Sequence, residues 1–254
     1  MCLIVLAWRP GHALPLLVAA NRDEFYARPT AALAEWPETP GLIAGRDLQA
    51  GGTWLGIGPG GRFAALTNIR DPRAVQGSRS RGELPLRFLQ GYLGPEAFLD
   101  KLRSEADDYS GFNLLVGDRQ QLWHFNSQNR RAKALPSGIH GISNADLDTP
   151  WPKLQRAKAA LVDALETLDE EALFALLANT AKPEDAALPD TGVGLDTERL
   201  LASVFIASAN YGTRASTLLF SHADGARQLI ERSFGAEGVA IGEVRFETGN
   251  QWVG

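Results

Sequence analysis

The stretch 2–24, CLIVLAWRPGHALPLLVAANRDE, decides the architecture. Two short apolar runs, 2–8 and 14–20, flank Arg9-Pro10-Gly11-His12, a turn-forming cluster, so the spacing predicts an antiparallel hairpin at the start of the chain. Position 2 then opens a strand. Four polar residues, Asn21-Arg22-Asp23-Glu24, follow the second strand. Working outward, three further hairpins are expected. The first joins 53–57 to 62–67 across Gly58-Pro59-Gly60-Gly61, the second joins 112–116 to 122–125, and the third joins 216–220 to 227–230 across His222-Ala223-Asp224-Gly225.

Helical spacing replaces strand spacing in the middle of the chain. Ser80-Arg81-Gly82-Glu83 fits a capping box ahead of Leu84, Phe88, Leu89 and Tyr92, and Phe98, Leu99 and Leu102 continue after Pro95. Pro152 opens a helix with Leu154, Ala157, Leu161 and Leu165 on one face. Residues 167–170 cap the next, which buries Leu173, Leu176 and Leu177, while 181–196 is a surface loop. Strands first, helices central and strands last imply an α+β layered domain.

The chain has 254 residues, with 25 Lys+Arg against 30 Asp+Glu, a formal charge of −5, and 44% hydrophobic residues. That length supports one domain, 1–254, with a full core. A single Cys forms no internal disulfide, no apolar run approaches the ~18 residues of a membrane span, and the start lacks the basic stretch of a signal peptide. A cytoplasmic location is expected. Net acidity argues against nucleic acid as a partner, because such binding draws on Lys/Arg neutralising phosphates.

Common site signatures are absent. There is no G-x-x-x-x-G-K-[ST], no H-E-x-x-H and no Cys/His pairing at zinc spacing, so no metal is expected, and Gly141-Ile142-Ser143-Asn144-Ala145 lacks the last glycine of a nucleophile elbow. Cys2 is distinguished by its position. Removal of Met1 would free its α-amine, whose ordinary pKa of ~7.7–8.0 suits it to accept the thiol proton, so nucleophile and base would be one residue. The alternative is a buried structural cysteine on the first strand. In an antiparallel hairpin the Asn21 end of one strand lies near Cys2, which places Asp23 to hold the ammonium; a solvated strand end is the other reading. Asn21, Arg22 and Glu24 beside it are candidate ligand contacts. So are Thr53 and Trp54, where Gly51-Gly52 permits close backbone approach and Trp54 either lines a pocket or fills the core.

A series of motifs occurs in order: Asn21-Arg22-Asp23-Glu24-Phe25-Tyr26, Gly51-Gly52-Thr53-Trp54-Leu55-Gly56, Leu66-Thr67-Asn68, Arg81-Gly82-Glu83-Leu84, Gly111-Phe112-Asn113-Leu114-Leu115, Gly141-Ile142-Ser143-Asn144 with Thr149-Pro150-Trp151-Pro152-Lys153-Leu154, and Tyr211-Gly212-Thr213-Arg214. Together they resemble the NRDE family, also called the transport and Golgi organisation protein 2 family, over residues 2 to about 220. The resemblance implies a fold like that of N-terminal nucleophile hydrolases, a four-layer αββα sandwich of two stacked, mainly antiparallel sheets flanked by helices. Cysteine hydrolases of that kind, which cleave penicillin V and conjugated bile salts, start Met-Cys and carry Asn-x-Asp after the second strand. By that comparison Cys2 is the nucleophile acting on a non-peptide C–N amide bond of a small molecule, with Asp23 orienting its amine. Asn68 looks similar to their oxyanion-binding Asn, Asn144 to a second active-site Asn, and Arg214 to a late arginine on a core strand. Their arginine before the Asn is Ala20 here, a departure unless Arg22 fills the site. Each residue also has a plainer reading: Asn68 ends a hairpin, Asn144 caps a turn, Arg214 pairs with a carboxylate. No cofactor is required for hydrolysis. The resemblance also implies an alternative, a non-catalytic haem-binding or haem-trafficking protein, with haem as ligand and no Cys-x-x-Cys-His to hold it.

Overall fold

A computed structural model describes residues 2–249. Thirteen strands and five helices follow in chain order: β1 (Cys2–Trp8), β2 (Leu16–Phe25), β3 (Thr30–Glu35), β4 (Ile43–Asp47), β5 (Leu55–Ile57), β6 (Phe63–Asn68), α1 (Glu83–Gln90), α2 (Pro95–Leu102), β7 (Phe112–Gly117), β8 (Leu122–Asn126), β9 (Arg131–Ala134), β10 (Gly138–Ile142), α3 (Pro152–Thr167), α4 (Glu170–Leu177), α5 (Leu195–Leu200), β11 (Tyr211–Ser221), β12 (Arg227–Phe234) and β13 (Ala240–Thr248). They build two antiparallel sheets, ordered β10-β1-β2-β11-β12-β13 and β3-β4-β5-β6-β7-β8-β9.

The predicted first hairpin forms, with Trp8 opposite Leu16 and Cys2 opposite Arg22. Every residue of β1 is buried, because the strand is covered on both faces and reads as a continuous apolar run. Ile4, Leu6, Val18 and Ala20 face the second sheet and meet Leu55, Ile57, Phe63 and Leu115. Leu3, Val5, Leu17 and Ala19 face outward onto Leu154, Leu161, Leu173 and Leu177 of α3 and α4. On the far side of the second sheet, Ala64, Leu66 and Leu114 pack against Leu84, Phe88 and Leu99 of α1 and α2. The layers therefore run helix, sheet, sheet, helix.

Three local expectations are corrected. β2 does not stop at residue 20: it pairs with β11 from Leu16 to Phe25, and this second partner keeps Asn21-Arg22-Asp23-Glu24 inside the ladder. The capping box at Ser80 is not made. The N-cap of α1 is Gly82, the Ser80 carbonyl accepts the Glu83 N–H at 3.2 Å, and the Glu83 carboxylate is drawn instead to Arg79 and the Tyr109 hydroxyl. The loop 181–196 gives way to α5 at Leu195. The Asp169 cap does form, its carboxylate accepting the Ala172 N–H at 3.0 Å. No helix among the described residues is long and apolar enough to cross a membrane.

His124 of β8 supplies a test of this core. It is buried, with Nε2 3.2 Å from Asn113 Oδ1, and burial holds its pKa down to about 4. The unfolded imidazole, near 6.5, takes up a proton before the folded one does. The stability this neutral side chain contributes is therefore complete above pH 6.5 and lost as pH falls toward 4, by about 3 kcal/mol. Urea unfolding at several pH values is expected to show that loss, and His124→Gln to remove it.

Candidate active site

At the Cys2 end of the sandwich a cleft of about 580 Å³ opens between the sheets. Cys2 lies in its wall, 7% exposed, and its carbonyl accepts the Ser143 hydroxyl at 3.1 Å. Burial pushes the thiol pKa above its ordinary value, while Arg22 and the Asp23 main-chain N–H pull the other way. A resting thiol in this setting needs a base to become a nucleophile.

The NRDE stretch divides its work. Arg22, the register partner of Cys2, is buried in the cleft wall and donates to Thr30 Oγ1 at 3.2 Å. Glu24 lines the cleft and accepts the Phe25 N–H at 2.8 Å. Asp23 is buried at the cleft edge and accepts the Thr213 hydroxyl at 2.8 Å; burial raises its carboxyl pKa, which Lys153, Thr213 and Arg70 oppose. Asn21, expected as a ligand contact, does not line the cleft. It is fully buried away from the cleft, its amide donating to the Leu177 and Val204 carbonyls at 2.8 and 2.9 Å while its oxygen accepts the Ser216 hydroxyl at 2.6 Å, so it fastens β2 to α4.

The remaining expected residues also separate. Asn68, at the end of β6, lines the cleft, as do Thr53 and Trp54; Trp54 belongs at once to the wall and to the inter-sheet core. Asn144 does not line it. Its side chain donates to the Asn68 carbonyl at 2.9 Å and its carbonyl accepts the Arg70 N–H, so it ties the end of β10 to the end of β6. Arg214 lines the cleft at a bulge in β11, yet one guanidinium nitrogen donates to the Phe25, Tyr26 and Arg28 carbonyls at 3.1, 3.2 and 2.9 Å. That arginine anchors the turn after β2 and forms no ion pair among the described residues.

Two features escaped the sequence reading. Arg81, in the turn before α1, brings a second cation toward Cys2, with its guanidinium donating to the Gly111 carbonyl at 3.0 Å. Behind Asp23 sits a buried charged layer: Lys153, whose ammonium donates to the Leu201 carbonyl at 3.0 Å and whose pKa burial lowers to about 8, and the Arg70–Glu198 ion pair. Both lay inside or beside quoted motifs, Arg81-Gly82-Glu83-Leu84 and Pro152-Lys153-Leu154. Only the fold assembles them around one end of β1.

The glycine pair performs its expected task. A Cβ on Gly52 would sit 2.4 Å from the Gly82 carbonyl carbon and oxygen, and the neighbouring Thr53 N–H donates to that oxygen at 3.0 Å. Backbone against backbone leaves nothing flexible to yield. Gly52→Ala is expected to cost about 1–3 kcal/mol, read as a lowered urea midpoint, by forcing the cleft wall apart.

The model of the family described as Transport and Golgi organisation 2 matches residues 1–236. The chain belongs to this family. It is 36% identical to the Transport and Golgi organization protein 2 homolog of Bos taurus over 256 residues, covering 92% of this chain and 93% of that one. The Homo sapiens homolog is 35% identical with the same coverage, and the Drosophila melanogaster Transport and Golgi organization protein 2 is 27% identical, covering 89% and 88%. Among solved structures the chain is similar to the Caenorhabditis elegans N-acylethanolamine-hydrolyzing acid amidase (NAAA) ortholog, at 14% identity and a TM-score of 0.45 over 86% of this chain and 92% of that one. Within the family-matched region lie all the residues of the cleft wall considered above, from Cys2 to Arg214.

Proposed function

We propose that this member of the family is an N-terminal-cysteine hydrolase or acyltransferase, built on a scaffold of the N-terminal nucleophile type and acting on a C–N amide bond of a small molecule. One observation carries the reading: the single cysteine of the chain stands at the start of β1, in the wall of the large cleft, with Arg22 opposite it and Arg81 approaching from the turn before α1.

The chemistry follows from those positions. Cys2 Sγ gives its proton to the α-amine of the same residue and attacks the amide carbonyl carbon. The oxyanion is held by the Asn68 amide, an interaction worth ~3–4 kcal/mol per preorganised donor. The C–N bond breaks as the ammonium returns its proton to the leaving nitrogen. Water, or an acceptor hydroxyl or amine, then attacks the thioester and regenerates the thiol. Asp23 sets the ammonium, Asn144 positions Asn68, and Arg22 and Arg81 hold the thiolate. Removal of Met1, which this scheme requires, concerns a position outside the described residues. Neither Arg22, Arg81 nor Arg214 forms an ion pair among the described residues, which favours a substrate bearing an anionic group.

Intact-mass analysis after limited iodoacetamide treatment tests the reading. The expected product has lost Met1 and carries one adduct on Cys2, and Arg81→Met slows its formation at neutral pH by roughly tenfold. A chain that retains Met1 throughout, or a Cys2 that stays unmodified, overturns it. A haem carrier would draw on the same residue, since no other Cys, His or Tyr among the described residues lines the cleft. A Soret titration of wild type beside Cys2→Ala separates the two: saturable binding lost in the variant would favour the carrier.

A further inference from the structure

A second cavity, of about 200 Å³, lies at the opposite end of β1 from Cys2. Four hairpin turns frame it, two from each sheet: 9–15, 58–62, 118–121 and 222–226. Its floor is the end of the inter-sheet core, made by Trp8, Leu16, Ile57, Phe63 and Leu219, all buried.

The mouth is cationic. Arg227, 5% exposed, uses two guanidinium nitrogens on the Arg62 and Gly58 carbonyls at 3.2 and 3.0 Å and forms no ion pair among the described residues. Arg119 lies across the tips of two turns, so that a Cβ on Gly61 or Gly225 would meet its side chain at 2.5 or 2.7 Å. The two guanidiniums are close enough for Arg119 to help burial push the Arg227 pKa down to about 10. Asp118 is the one acid among the described lining residues, and its Oδ1 is committed to the Gln120 and Gln121 N–H groups at 2.8 and 3.0 Å. His12 and His222 complete the rim, with His12 Nδ1 accepting the Leu14 N–H at 3.0 Å and leaving Nε2 as its donor.

Two apposed guanidiniums over an apolar floor repel one another, and an anion between them relieves that cost while its carbon body fills the floor. We propose that this cavity is a second binding site, separate from the Cys2 cleft, for a small amphipathic carboxylate whose charged group lies between Arg119 and Arg227 and whose aryl or short alkyl body rests on Trp8 and Phe63. Its size suits a ligand smaller than the drug-sized occupants of pockets of ~300–1,000 Å³. The proposal is independent of the reaction assigned to Cys2.

Two tryptophans report the two ends of the sandwich: Trp8 lines this cavity and Trp54 the Cys2 cleft. Titration of the full chain with benzoate, followed by the indole N–H resonances, is expected to shift Trp8 saturably and leave Trp54 in place. Benzyl alcohol and inorganic phosphate are each expected to bind at least ~10-fold more weakly, since one lacks the charge and the other the apolar body. Arg119 sits on an exposed turn, so Arg119→Glu keeps the fold and is expected to weaken benzoate by at least ~10-fold. Several results overturn the proposal: no saturable Trp8 shift, a response at Trp54 instead, equal binding of benzyl alcohol or phosphate, or an unchanged affinity in Arg119→Glu.

Discussion

Cys2→Ala is expected to eliminate both stoichiometric thiol labelling and the cleavage of a chromogenic N-acyl 4-nitroanilide, with a loss of at least ~10³-fold, while the urea midpoint moves little. The two halves of this expectation have separate physical causes. Removing one sulfur from a strand end already fixed by pairing to Arg22 and by the Ser143 hydroxyl on the Cys2 carbonyl deletes little packing, about 1 kcal/mol. Removing the nucleophile deletes the covalent pathway altogether. Cys2→Ser sharpens the test, because it preserves the shape and supplies a far weaker nucleophile at neutral pH; labelling is expected to vanish there too. Retained turnover in Cys2→Ala would end the reading of Cys2 as the nucleophile. Loss of turnover accompanied by a large drop in midpoint would mean that Cys2 is a packing residue after all.

The first hairpin was legible because Pro-Gly separates its two apolar runs, and the same signal located the turn between β5 and β6. The extension of β2 through residues 21–25 was not, since four polar residues after an apolar run carry the local signature of a strand end. What keeps them extended is β11, nearly two hundred residues away. Alternation along a strand does separate Asn21 from Arg22, but which neighbour would face the open cleft depends on layers the local pattern does not contain. β13 went unread for a different reason: it is an edge strand, largely exposed, and gains little from an apolar alternation. Arg81 was hidden within a helix-start motif, and its approach to Cys2 exists only once the second sheet is stacked on the first. Two arginines, Arg22 of β2 and Arg81 of the turn before α1, line the cleft that holds Cys2.

Asp23→Ala is expected to destabilise the fold by about 3–5 kcal/mol, more than any other substitution considered, because it leaves buried charge without compensation. The carboxylate accepts the Thr213 hydroxyl at 2.8 Å and stabilises the charged form of Lys153, itself buried and held on the Leu201 carbonyl. Without Asp23 the ammonium keeps its desolvation cost and loses its main attraction. The dependence on pH follows from the direction of the Lys153 shift. Its folded pKa, about 8, lies below the unfolded value near 10.4, so the folded state binds fewer protons in between and stability rises with pH across that window. Taking the carboxylate away lowers the folded value further, so the damage is expected to be largest at pH 7 and smaller at pH 9. Lys153→Met in the Asp23→Ala background is expected to recover at least half of the loss by replacing the stranded ammonium with an apolar chain of similar length. Additive single and double variants with no change between pH 7 and 9 would show that Asp23 and Lys153 do not act as a pair. Asp23 would then serve the strand end independently of Lys153, and the Lys153 ammonium would have no part in setting the surroundings of Cys2.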